Sequence, residues 1–184
     1  MLWEQLNHTI NLEVEQLFYT YKDLVFNLAL HYVQNREEAE EICQDVFVNI
    51  HFAKDKFRHD ASIKTWIYRI TINKSLDYLK AKKRKKRWAS IFSIDLFQDH
   101  VPIAKDNLHP GIVLEQKEKV QSIFDCLNEL PFNQKTCLIL SKIEQKSIKE
   151  IAAIMNMSSK SVESHLHRAK KNLTLLLEQK NINK

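Results

Sequence analysis

The run S-I-K-T-W-I-Y-R-I-T-I-N-K-S-L-D-Y-L-K-A-K-K-R-K-K-R, Ser62 to Arg87, joins an apolar helical pattern to the densest block of positive charge in the chain. At 100° per residue, Thr65, Tyr68, Ile72, Leu76 and Leu79 share one face, while Ile63, Trp66, Ile67 and Ile70 share another in the first half only. The first half is therefore expected to be buried on two sides. Between those faces runs an edge of Trp66, Arg69, Asn73, Asp77, Lys80 and Arg84. Aromatic faces stack on unstacked bases, amides read base edges and cations hold phosphates, so this mixture suits an opened nucleic acid strand. A core helix with a solvated basic end would carry the same residues, and the rest of the chain has to decide between the two.

Composition points to an all-α fold. The 184 residues include one Gly and three Pro, and strand-like alternation of Val, Ile and Thr is nearly absent. That length accommodates one large or two small domains, each able to bury a core. Cys43, Cys126 and Cys137 are odd in number, far apart and set inside helical patterns. Neither a disulfide framework nor a zinc site is expected, and a reducing cytoplasm fits best. The start, M-L-W-E-Q-L, lacks a basic segment followed by an apolar core, and no apolar run approaches the ~20 residues that span a bilayer. A soluble, unexported chain with no membrane contact of its own is expected. Net charge is +5, distributed as −6 over residues 1–60, +9 over 61–90, −2 over 91–112 and +4 over 113–184. An acidic front beside a basic block implies two partners, one that accepts carboxylates and one that is polyanionic.

Leu17, Tyr21, Leu24, Val25, Leu28 and Tyr32 recur at helical spacing, which predicts a first helix from about Glu13 to Val33. Asn35, with Glu38 three residues on, predicts a capping box opening a second helix to about Lys54, with a core stripe of Ile42, Val46, Ile50 and Ala53. Glu37, Glu38, Glu41, Gln44, Asp45 and Val48 fall largely outside that stripe. No His joins these carboxylates at ligand spacing, so a solvated or protein-binding face is expected rather than a metal or catalytic site. Phe57 to Ala61 breaks the pattern as a short loop. Trp88 to Gly111 loses periodicity and carries Pro102 and Pro110-Gly111, which predicts a linker, although Ile91, Phe92, Ile94, Leu96 and Phe97 make it unusually apolar.

Helices are then predicted over Ile112 to Asn128 and Asn133 to Ile143. Ser147 with Glu150 predicts a capping box for a short helix, Ile148 to Met155, whose expected buried set is Ile148, Ile151, Ala152 and Met155. Asn156, Met157 and Ser158 form a turn, and Ser158 caps a longer helix with the stripe Val162, Leu166, Ala169, Leu173 and Leu176. Ala152 is small enough for a close crossing and Asn156 tolerates a left-handed backbone. The pattern is a helix-turn-helix, with Lys160, Ser164, His167, Arg168 and Lys171 opposite the stripe, where a recognition helix presents polar groups to the major groove.

From about Val14 to Leu177 the chain resembles extracytoplasmic-function sigma factors, the small members of the sigma-70 family. The marks are Y-K-D-L-V-F-N-L-A, E-E-A-E-E-I-C-Q-D-V-F, T-W-I-Y-R-I-T-I-N-K-S-L-D-Y-L, L-N-E-L-P, I-K-E-I-A and S-V-E-S-H-L-H-R-A-K-K-N-L, in that order. The resemblance implies two helical domains, residues 10–87 (region 2) and 112–180 (region 4), joined by a linker, 88–111. It also implies a non-enzymatic initiation factor, without cofactor, metal or catalytic residue, that binds core RNA polymerase, promoter DNA and an anti-sigma factor. Glu41, Gln44, Asp45, Val46 and Phe47 would meet the basic clamp helices of the polymerase. Phe57, Arg58, His59, Asp60, Ala61, Ser62, Trp66, Arg69, Asn73 and Lys80 would capture the minus-10 strand. Lys160, Ser161, Glu163, Ser164, His167, Arg168 and Lys171 would read the minus-35 duplex.

Three departures matter. Glu163 stands where the family usually has Lys or Arg, Asn156 replaces a turn Gly, and Ser159-Lys160-Ser161 replaces the common Gly-Thr before the Val. A stand-alone helix-turn-helix regulator would account for Ser147 to Leu177 but leave the acidic helix and the Trp66 edge without a task. A nucleic-acid enzyme built on Glu37 to Asp45 would lack a second ligand cluster or a nucleophile-base pair.

Overall fold

The apolar spacing closes into helices on both sides of the chain's middle, and the computed structural model, which describes residues 2–53, 57, 60–91 and 110–182, has no strand among the described residues. The chain divides into two compact units, Met1–Val101 and Pro102–Lys184.

The first unit is a three-helix arrangement of α1 (Leu2–Val33), α2 (Arg36–Ala53) and α3 (Ile63–Ile91). Helix α1 starts well before Glu13, because nothing from Leu2 onward is a Pro or Gly that would stop it. Between α1 and α2, Gln34 takes a left-handed backbone at φ 56° and its N–H donates to Leu30 O at 2.8 Å. Asn35 Oδ1 accepts from Glu38 N at 3.0 Å, the expected cap. The return half of the predicted box is absent: the Glu38 carboxylate turns to Lys82 Nζ of α3 instead, a tertiary ion pair displacing a local bond. Val25 and Ala29 of α1, Ala39, Ile42, Val46, Phe47 and Ile50 of α2, and Ile67 of α3 form the core. Each large aliphatic side chain so buried contributes roughly 1.5–3 kcal/mol. Thr71 and Ser75 of α3 are also fully buried, and their hydroxyls donate to Ile67 O and Thr71 O, both at 2.8 Å. Their polar atoms are thus satisfied within the helix.

Helix α3 runs through Trp88 to Ile91, and α4 opens at Pro110, so helix enters both ends of the expected 88–111 linker. Pro110 stands in the first turn, where its missing N–H costs nothing, which is why it starts a helix here instead of breaking one. Residues 92–109 lie outside the described residues, and with them Phe92, Ile94, Leu96 and Phe97.

The second unit contains α4 (Pro110–Glu129), α5 (Phe132–Leu138), a π turn (Ile139–Ile143), α6 (Ile148–Met155) and α7 (Ser159–Ile182). The predicted helix over Asn133 to Ile143 begins one residue earlier and widens at its end, where Glu144 N reaches back to Ile139 O at 3.0 Å. All seven residues from Gln134 to Leu140 are buried, so α5 after its exposed Asn133, and the first residues of the π turn, are enclosed on every side. Leu127, Leu130, Leu138 and Ala169 form a core on which Phe124, Leu166, Leu173 and Leu176 pack. Asn172 Nδ2 donates to Gln134 Oε1 at 2.9 Å, and Lys180 approaches Asp125 and Glu129 at 3.7 and 3.8 Å, fastening α7 to α5 and α4.

The predicted capping box of α6 is present in both directions: Glu150 N donates to Ser147 Oγ at 3.3 Å, and Ser147 N to Glu150 Oε2 at 2.8 Å. Asn156 ends α6 at φ 51° and ψ 52°. The buried set needs correction. Ile148 is 36% exposed and Met155 only half-buried, while Ile154 at 4% joins Ile151 and Ala152. A helix of two turns wedged against α7 and the π turn is covered on more than one stripe, so a single wheel face misplaces its ends.

Candidate nucleic-acid interface

Three surfaces carry the residues singled out in sequence. On α2, Glu41, Gln44 and Asp45 are exposed, together with Glu37. Val46 is fully buried and Phe47 is 8% exposed, so both belong to the core beneath this face rather than to its contact surface. Both belong to the cluster that includes Val25 and Ile67, so in this structure they support the face from beneath. The apolar component of the surface lies elsewhere. Phe18, Tyr19, Val48 and Phe52 are exposed at 40%, 64%, 55% and 75%, and the Phe18 ring meets Phe47 edge-on at 4.9 Å. Val48 already stood off the core stripe in sequence, and the wheel could have found the other three, which are large apolar residues off their stripes as well. Glu41 also lies close enough to Tyr78 of α3 to act on its phenol. Burial, then the charges of Glu38 and Glu41, push the Tyr78 phenol up to about 12.

On α3, the expected edge is assembled. Ser62 caps the helix by accepting from Thr65 N at 3.1 Å, so its hydroxyl is already occupied by the fold. The Phe57 ring lies 5.1 Å from Trp66 at a 42° tilt, and both rings are half-buried. Beyond them come half-buried Arg69 and exposed Asn73, Asp77 and Lys80, the last two 3.5 Å apart. Asp60 is exposed and Ala61 half-buried; Arg58 and His59 lie outside the described residues. Lys82 to Arg87 follow as six exposed cations in unbroken succession. Distributed around two turns of helix, they project positive potential in every direction across α3, which suits phosphates on a path rather than one bound group.

On α7, Lys160, Glu163, His167, Arg168 and Lys171 are exposed and Ser164 half-buried. Ser158 Oγ accepts from Ser161 N at 3.2 Å and shares a hydrogen bond with Ser161 Oγ at 2.9 Å, so Ser161 serves the helix start first. His165, not singled out by periodicity, is half-buried, and its Nδ1 is a buried atom without a hydrogen-bond partner among the described residues.

The three cysteines are free; Cys126 and Cys137 are buried, and burial pushes the Cys137 thiol up to about 11, away from reactivity. Among the described residues no group of three or more His, Cys, Asp or Glu is placed to hold a metal ion, and no helix is long and apolar enough to cross a membrane.

The family description "Sigma-70 region 2" matches residues 17–85, and "Sigma-70, region 4" matches residues 121–173. The RNA polymerase sigma-H factor of Pseudomonas aeruginosa is 27% identical over 161 residues, covering 86% of this chain and 82% of its own. The ECF RNA polymerase sigma factor SigW of Bacillus subtilis is 27% identical over 154 residues, covering 83% of this chain and 82% of its own. Among solved structures, the sigma factor RpoE in complex with the anti-sigma factor NepR from Bartonella quintana superposes with a TM-score of 0.64 at 20% identity, over 90% of this chain and 97% of that one. That likeness concerns the fold.

Proposed function

We propose, for a chain that belongs to the sigma-70 family of RNA polymerase sigma factors and acts in transcription initiation, that its three surfaces divide the work of recruiting polymerase, opening DNA and reading duplex. Residues 10–87 act as region 2, 88–111 as the connection and 112–180 as region 4. The exposed carboxylates and amide of α2, Glu41, Gln44 and Asp45, dock on a basic surface of core polymerase, with Val46 and Phe47 holding that face from below. The half-buried Phe57 and Trp66 rings accept an unstacked minus-10 base, to which Arg69, Asn73 and the backbone around Asp60 to Ser62 add polar contacts. Stacking of one base on such a platform is worth about 1–3 kcal/mol. Lys80 and the cations after it follow the phosphates, which makes DNA binding strongly salt-dependent. Helix α7 enters the minus-35 major groove with Lys160, Ser161, Glu163, Ser164, His167, Arg168 and Lys171.

The chain does this in the cytoplasm and without chemistry of its own: the catalytic centre belongs to the polymerase. An anti-sigma factor, the kind of partner bound to the Bartonella quintana sigma factor, is a further partner. The observation that carries the proposal is the pairing, in one chain, of an aromatic and cationic strand-binding edge on α3 with a duplex-reading helix α7; a stand-alone regulator has use for α7 alone.

Core dependence tests it. Sequence-selective promoter binding and runoff transcription should appear only when core polymerase is added, and Asp45→Arg should abolish holoenzyme formation in a pull-down while leaving helicity by circular dichroism unchanged. Selective duplex binding at equal affinity without polymerase would make the protein a stand-alone regulator.

A further inference from the structure

One exposed residue on the outward side of α7 has the wrong sign for its place. Lys160, His167, Arg168 and Lys171 suit a polyanion; Glu163 does not. Its carboxylate makes no hydrogen bond or ion pair among the described residues, although Lys160 stands three residues before it and His167 four after, the spacings at which helical side chains pair. Three other carboxylates of the same unit are occupied, Asp125 and Glu129 facing Lys180 and Glu150 closing the cap of α6, while exposed Glu178 lies near the far end of α7, away from the amino-terminal half. Glu163 follows the fully buried Val162 and lies in the second turn of α7, in the amino-terminal half that meets base edges. On the helix it falls about 40–60° from His167 and Lys160, so the three form one strip.

On a helix facing only water, such a carboxylate would need no partner. Within a Debye length of phosphates it weakens binding unless it meets a donor. The major groove offers two, the amino groups of cytosine and adenine. That of adenine sits beside its own N7 acceptor, whose lone pair opposes a carboxylate; cytosine's own edge carries no acceptor beside the N4 amine, and an acidic side chain accepting from that amine is the established pairing. We infer that Glu163 is a specificity-determining residue that accepts a hydrogen bond from the N4 amine of a cytosine in the minus-35 element. This rests on α7 being the minus-35 reader. The element bound by this chain therefore contains a C·G pair opposite the second turn of α7.

Selection settles it. Holoenzyme assembled from the full chain and core polymerase is used to select from a duplex library randomised through both promoter elements, with wild type, Glu163→Gln and Glu163→Lys in parallel. Wild type should favour C at one minus-35 position by about 5- to 140-fold over the other bases. Glu163→Gln should turn that position toward A and Glu163→Lys toward G, with the remaining positions unchanged. The inference fails if preferences at every position are the same in all three proteins, or if the variants merely bind all sequences more tightly. If wild type selects no minus-35 sequence at all, the assignment of α7 falls and the inference with it, an outcome distinct from unaltered preferences.

Discussion

Replacing Lys135 by Met should stabilise the second unit at neutral pH, and the gain should fade as pH rises. Lys135 is 5% exposed on the enclosed helix α5, where its Nζ donates to Asn128 Oδ1 at 2.6 Å. Burial pulls its ammonium down from the ordinary 10.5 to about 8. Because the folded value lies below the unfolded one, the unfolded chain holds the extra proton between those values, and stability rises with pH through that window. Well below pH 8 both states are protonated and the penalty is full, roughly 3 kcal/mol for the shift. Lys135→Met removes that penalty and loses the hydrogen bond to Asn128 together with the residue's remaining interaction, for a net gain of about 1–2 kcal/mol at pH 7. The advantage over wild type should shrink by about 1 kcal/mol between pH 7 and pH 9. Taking the difference between the two proteins cancels Cys137, whose raised value of about 11 acts the other way above pH 9. Urea unfolding of the full chain is suited to this, since all three Trp and five Tyr precede residue 89. Tryptophan fluorescence then follows the first unit as an internal control, and the remaining circular dichroism transition follows the second. A gap that is constant from pH 7 to 9 would refute the reasoning, for it would mean that the ammonium keeps its charge at no cost in the folded state.

Two further outcomes are expected. Arg168→Ala should cost on the order of 1–3 kcal/mol of promoter affinity on linear duplex, whereas Asn73→Ala should leave closed-complex binding nearly intact and lower permanganate reactivity of start-site thymines. A pre-melted template should rescue transcription by Asn73→Ala but not by Arg168→Ala; equal rescue would exchange the roles of the two helices. At the turn between α6 and α7, Asn156→Gly should change stability by less than about 0.5 kcal/mol and Asn156→Val should lower it by about 1–2 kcal/mol, read as a shift of thermal midpoint, because φ there is 51°.

What sequence revealed follows the range of the forces involved. Caps act over three residues, so Asn35, Ser147 and Ser158 could be read from their neighbours alone, and each caps as expected. Asn156 advertised its left-handed backbone by residue type, whereas Gln34 and Gln145 adopt the same conformation without any such signal. Where a distant group competes, local rules fail: Glu38 leaves its cap for Lys82, which is 44 residues away. The Trp66 edge was legible because helical spacing fixes it, and the structure adds the Phe57 ring beside it. By contrast, a motif does not say which members of a helix face outward: Val46 already stood in the core stripe, but Phe47 had to be separated from Gln44 and Asp45 by burial. Gln134 to Leu140 are buried in succession and show no stripe, so although the helix itself was legible the widened π turn at its end had no periodic signature.

That enclosure also fixes how the second unit can come apart. With Gln134 through Leu140 walled in by α4, α6, α7 and the π turn, no partial fraying uncovers their amide hydrogens, which should exchange with solvent only when the whole unit opens. Helix α7 is bound to that centre through Asn172 and Gln134, so its supports cannot loosen one at a time. A pull on the amino-terminal end of α7 and a pull on α4 would therefore act on one body, and the second unit would yield as a whole rather than helix by helix.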